Sequence, residues 1–136
     1  MKYTKEQKAL AKFLGCKASE VEEKDGEYEA EGKTFLVLSD EEATKRATEY
    51  IKDSLWAFNY GFLCTHSETI SKIPEKSYTK MAGELCESFN DAVTAMVDDV
   101  DYLAEDAIKS DGRGHFLNTY DNEENESDGL YIYRIS

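Results

Sequence analysis

Proline is almost missing from this chain: Pro74 is the single instance among 136 residues, and glycine is held to eight. Long irregular loops are therefore few, and regular elements joined by short turns are expected. Cysteine is scarce as well. Cys16, Cys64 and Cys86 are odd in number, widely spaced and form no Cys-x-x-Cys pair. That pattern excludes a disulfide framework and reads as buried free thiols in a reducing cytoplasm. Long apolar runs are absent too. The longest, Phe35-Leu36-Val37-Leu38 and Leu55-Trp56-Ala57-Phe58, fall far short of a bilayer span, so no membrane partner is expected. The N-terminal Met1-Lys2-Tyr3-Thr4-Lys5-Glu6 opens a polar helix and lacks the apolar core of a signal peptide.

Positive charge is the other shortage, and it is local. The chain carries 29 acids against 16 bases, net −13. Residues 1–17 hold five lysines and one glutamate, whereas residues 81–128 hold fourteen acids and only Lys109 and Arg113. A field of that sign repels a nucleic-acid backbone and attracts basic grooves, so direct nucleic-acid binding is not expected. Hydrophobic residues still make up 40%, with nine Tyr and six Phe spread along the chain, so this is no disordered acidic tail. The length fits a single domain over residues 1–136 with a substantial core.

Thr4 with Gln7 forms a capping box, and Ala9, Leu10, Phe13 and Leu14 recur at helical spacing up to Gly15. The basic segment 1–17 is thus a helix with Lys5, Lys8 and Lys12 on a solvated face. Residues 18–23 read as a short helical turn. Residues 26–38 read as a β-hairpin, with Glu31-Gly32 as its two-residue turn. Because Phe35–Leu38 is apolar on both faces, that strand belongs inside a sheet. Ser39 and Glu42 form a second capping box, and Ala43, Ala47, Tyr50, Ile51 and Leu55 carry an amphipathic helix over 40–56. Asn59 is placed to cap a short helix through Cys64. Cys64-Thr65-His66 supplies two of the four ligands zinc needs, so no metal is expected there.

From Pro74 onward Met81, Leu85, Phe89, Val93, Met96, Val100, Leu103 and Ala107 recur at spacings of three and four. They predict one long acidic helix over 75–109, or two with a break near Asp98-Asp99. Its opposite face collects Glu84, Glu87, Asp91, Asp98, Asp101 and Glu105, the first candidate binding surface. Gly112 reads as the left-handed residue that stops this helix. His115-Phe116-Leu117 reads as the start of C-terminal strands over 115–135, with an acidic loop between them. That loop is no EF-hand: Glu126 stands where a glycine is needed, and Ile132 where a bidentate acid is needed. The fold class is α+β, a small antiparallel sheet packed against amphipathic helices, one of them long.

The blocks Ser54-Leu55-Trp56-Ala57-Phe58-Asn59, Asp111-Gly112-Arg113-Gly114-His115-Phe116-Leu117, Tyr120-Asp121 with Glu123-Glu124-Asn125-Glu126, and Tyr131-Ile132-Tyr133-Arg134-Ile135 occur in that order. Together, over about residues 38–136, they resemble a family of small accessory proteins of bacteriophages and prophages that have no established activity. Asn122 departs from the glycine of an Asp-Gly turn, which Asn's tolerance of positive φ accommodates. The resemblance supplies no catalytic residues. It implies a context, the cytoplasm of a bacterial host whose defences the protein helps to manage.

Two function classes follow. One is an inhibitor of a CRISPR or restriction type of nucleic-acid machine, its acidic face occupying a basic nucleic-acid-binding groove of a host protein. The other is a nucleotide- or nucleic-acid-binding site or enzyme built from Arg113, His115, Tyr120, Asp121, Glu123 and Glu124. There Arg113 would clamp a phosphate and His115 would exchange a proton. Neither class calls for a cofactor.

Overall fold

A computed structural model describes residues 2–136. The fold is α+β, with a five-stranded antiparallel sheet and a long helical stretch from Glu75 to Met96. By contact density the chain divides into two compact units, the first made of residues up to Ala47 together with Asp111–Ser136, the second of Thr48–Ser110.

The first unit holds the sheet. Helix α1 (Lys5–Leu14) carries the expected capping box, with the Thr4 side chain accepting from the Gln7 N–H, and stops at Gly15 in the left-handed conformation. Strands β1 (Glu22–Lys24), β2 (Glu27–Ala30), β3 (Lys33–Leu38), β4 (Asn125–Ser127) and β5 (Leu130–Arg134) stand in the order β1-β2-β3-β5-β4. All three hairpins turn on an X-Gly pair with positive φ at both residues: Asp25-Gly26, Glu31-Gly32 and Asp128-Gly129. That is the type I′ signature, whose twist matches the flanking strands. Register follows from it. Phe35 faces Arg134 and Val37 faces Ile132, so these four share one side, while Leu36 and Leu38 face Tyr133 and Tyr131 on the other. Residues 35–38 are all buried, as a strand apolar on both faces requires. On the first side Ala9, Leu10 and Ala11 of α1 join Tyr28, Ala30, Phe35, Val37, Leu130 and Ile132 in one core cluster.

The second unit is helical. Helix α2 (Asp40–Asp53) passes into it, followed by a 3₁₀ turn at Leu55–Ala57, α3 (Tyr60–Cys64), α4 (Glu68–Ser71), α5 (Glu75–Leu85), a 3₁₀ turn at Cys86–Phe89, α6 (Asn90–Met96) and α7 (Val100–Asp111). Asn59 caps α3 as expected, accepting from the Gly61 and Phe62 N–H groups. Asn90 ties the interior: its amide donates to the Lys52 carbonyl at 2.8 Å, and its oxygen accepts from the Trp56 N–H at 3.1 Å.

Several expectations are corrected. The helix over 40–56 ends at Asp53, where the Ser54 hydroxyl bonds back to the Tyr50 carbonyl at 2.6 Å and the chain tightens into the 3₁₀ turn. Over 75–109, of the two forms expected, the broken one is present. It breaks near Asp98-Asp99, where Val97 turns extended and Asp99 caps α7 by accepting the Tyr102 N–H at 3.1 Å. It is also distorted at Cys86, whose φ of 49° and ψ of −129° leave the helical region. Residues 115–117 are not strand: Arg113–Leu117 forms a one-turn helix, α8. Gly112, with φ 84° and ψ 154°, lies in the glycine-only extended region rather than the left-handed helical one, because it joins two helices instead of ending one.

Candidate functional site

The Arg113 block lies wholly in the first unit, and it is a clasp. The guanidinium donates through Nε and Nη2 to the two carboxylate oxygens of Glu124 at 2.8 and 3.2 Å. Its Nη1 donates to the Asp40 carbonyl, the Asp40 carboxylate and the Thr44 hydroxyl at 2.9, 2.7 and 3.0 Å. The group lies 4.7 Å from the centre of the Tyr131 ring and its side chain is only 11% exposed. Burial works against its charge, but the bonds to Glu124 and Asp40 outweigh that and hold its pKa above the ordinary arginine value. On the far side of Glu124, the Tyr133 hydroxyl donates to the same carboxylate. Burial, then that bond, raises the phenol's pKa.

Two residues shape the loop beneath: Asn118, which sequence reasoning did not single out, and Gly114, expected only to ease a turn. Asn118 is buried; its oxygen accepts from the Tyr120 and Asp121 N–H groups and its amide donates to the Glu123 carbonyl. Gly114 is there for space: a Cβ would lie 2.5 Å from the Asn122 carbonyl oxygen and 2.8 Å from the Glu123 carbonyl carbon. Asn122 takes positive φ, as its side chain permits.

The rest of the second candidate set does not converge on Arg113. His115 is exposed and meets the Phe116 ring edge-on, with no hydrogen-bond partner among the described residues. Tyr120 is exposed and lies under the Arg134 guanidinium at 3.5 Å. The Asp121 carboxylate accepts the Glu123 N–H at 3.0 Å. An arginine whose donors already serve Glu124, Asp40 and Thr44 is poorly placed to clamp a phosphate. A histidine without an orienting carboxylate lacks the partner a proton-transfer role needs.

The acidic residues lie in the second unit, on several elements rather than one helix face. Glu84 is on α5, Glu87 on the 3₁₀ turn, Asp91 on α6, Asp98 in the link, and Asp101 and Glu105 on α7. All six are exposed. Lys52 reaches Asp101 at 2.5 Å. Among the described residues, the other five have no cation within ion-pair distance. Residues 83–108 contain eight acids and no lysine or arginine at all.

One of those eight has a different role. The Asp106 carboxylate meets His66 Nε2 at 2.7 Å, and the buried imidazole packs against Phe62 and Tyr102 at ring distances of 5.0 and 5.3 Å. The His66 carbonyl accepts the Asp98 N–H, which pins the link between α6 and α7. Among the described residues no group of three or more His, Cys, Asp or Glu is gathered as a metal would need. Among the described residues no helix is long and apolar enough to cross a membrane. No family model, curated protein or solved structure matches the chain.

Proposed function

We propose that this chain is an acidic binding protein, a phage or mobile-element accessory that occupies the basic, phosphate-reading groove of a host CRISPR or restriction machine. The observation that carries the reading is the run 83–108, which holds eight acids and no lysine or arginine, with five of the six candidate carboxylates exposed and without an ion-pair partner among the described residues. Leaving them unneutralised costs self-repulsion that a purely structural helix would relieve with lysines at spacings of three and four. Against a row of arginines and lysines that repulsion becomes attraction, giving fast and salt-sensitive association. The Arg113 reading is the weaker one, since that guanidinium is consumed within its own unit.

The test is DNA cleavage by a CRISPR effector and by restriction nucleases, with the intact chain added. Inhibition at near-stoichiometric amounts is expected, weakening as salt rises. A variant with Asp91→Asn, Asp98→Asn, Asp101→Asn and Glu105→Gln should keep the fold and lose inhibition. Binding retained by that variant at physiological salt overturns the reading.

A further inference from the structure

We infer that the sheet face beside the C-terminal end of α1 is a binding site for a small carboxylate with a ring-sized apolar body. This inference does not depend on the acidic run, which lies in the other unit.

Register puts the parts together. Lys33 precedes Phe35 by two on β3, and Arg134 lies opposite Phe35 on β5, so both cations project on the same side as Phe35 and Ile132. With Phe13 from α1 they line a cavity of about 180 Å³. That compares with the roughly 150 Å³ apolar cavity known to take a benzene ring. Phe13, left 41% exposed at the end of α1, supplies one wall.

The charge pattern decides the ligand. Four cations in the described chain are half-buried: Lys33, Lys52, Arg113 and Arg134. Lys52 is held by Asp101, and Arg113 by Asp40 and Glu124. Lys33 and Arg134 have no side-chain carboxylate within ion-pair distance, although the chain carries 29 acids. Arg134 sends Nε–H to the Ser136 backbone oxygen at 3.0 Å and stacks on Tyr120, which leaves its Nη groups to a ligand. The Lys33 ammonium has no hydrogen-bond or ion-pair partner among the described residues. A cation with hydrogen-bond donors unspent beside an apolar cavity favours an anionic ligand there over a neutral one. Both line one cavity, and one carboxylate, Asp121, lines it too. Two positive charges against one negative suit a monoanion better than a phosphate dianion, and the apolar walls suit a ring behind it.

The test is titration of the intact chain, followed by amide NMR at constant ionic strength. Benzoate is the probe, with benzyl alcohol as its neutral counterpart, acetate as the charge without the ring, and phenyl phosphate as the dianion. Saturable benzoate shifts confined to Phe13, Phe35, Ile132 and their neighbours are expected. Benzyl alcohol and acetate should bind about tenfold more weakly or worse, the loss of one charge-assisted hydrogen bond or of the ring contact. Lys33→Met should weaken benzoate by about tenfold with an unchanged melting point. Should that variant melt early, Lys33→Gln and Phe13→Ser take its place, with the same loss expected. Absence of saturable shifts, equal binding of benzyl alcohol, tighter binding of phenyl phosphate, or full benzoate binding in these variants each overturns the inference.

Discussion

Two glycines make opposite demands on a methyl group. At Gly114 a Cβ has no room beside the backbone of Asn122–Glu124, so Gly114→Ala must push α8 off the acidic loop and loosen the Arg113–Glu124 pair. A loss of about 1–3 kcal/mol is expected in urea denaturation. At Gly83, inside α5, a Cβ meets nothing within 4 Å. There alanine should stabilise by about 0.5–1 kcal/mol, through helix propensity alone. A gain at Gly114 would show that the close approach is not tight. Arg113 belongs to the same scale. Arg113→Lys keeps the charge but loses the fork that reaches Glu124 and Asp40 at once, and should cost about 1.5–3 kcal/mol. An unchanged melting point would return Arg113 to the list of residues free to hold a ligand.

Among the elements, the α6 side of the break can be weighed by one ring. Phe89 sits on the 3₁₀ turn, 5% exposed, with its ring 5.5 Å from that of Tyr78. Phe89→Ala should destabilise by roughly 3–5 kcal/mol, read from thermal or urea unfolding. A negligible change would mean that the ring is not in the core. Elements with a local signal are legible in the sequence: the Thr4–Gln7 and Ser39–Glu42 boxes, the Glu31-Gly32 turn, the doubly apolar β3 and the Asn59 cap. Elements without one were not. β1 is Glu22-Glu23-Lys24, an exposed edge with no apolar alternation to reveal it. α8 is too short for a helical period, and three apolar-leaning residues in a row fit strand and helix alike. The disruption at Cys86 carries neither glycine nor proline. Pairings between distant residues were invisible for a different reason: Arg113 meets Asp40 across 73 residues and His66 meets Asp106 across 40, and no spacing rule reaches that far.

At the scale of the whole molecule, titration sets limits on both sides. Tyr133, Tyr28, Tyr78 and Tyr60 all have raised pKa values, that of Tyr28 pushed up to about 12. Burial leads in the first three, and in Tyr60 a hydrogen bond with Cys64 leads. A proton held more tightly in the folded state stabilises it below the ordinary tyrosine value of 10.0, and that stability is lost as pH rises beyond it. The urea midpoint should therefore fall between pH 9 and 11, and Tyr133→Phe should flatten the fall. On the acid side, the backbone bond at Ser39 leads in holding Glu42 below its usual 4.5, so the capping box weakens as pH drops through that range. A midpoint that holds steady to pH 11 would contradict the burial of Tyr28, Tyr78 and Tyr133. The sheet also has a history in time. Val37 of β3 pairs with Ile132 of β5, 95 positions later, and β3 is apolar on both faces. On a ribosome that emits residues in order, one edge of β3 stays unpaired while everything from Ser39 to Gly129 is made. Meanwhile the helical second unit, whose contacts lie within Thr48–Ser110, can close first. The most aggregation-prone strand of the molecule is thus the one that waits longest for its neighbour, and a chaperone would meet this protein there.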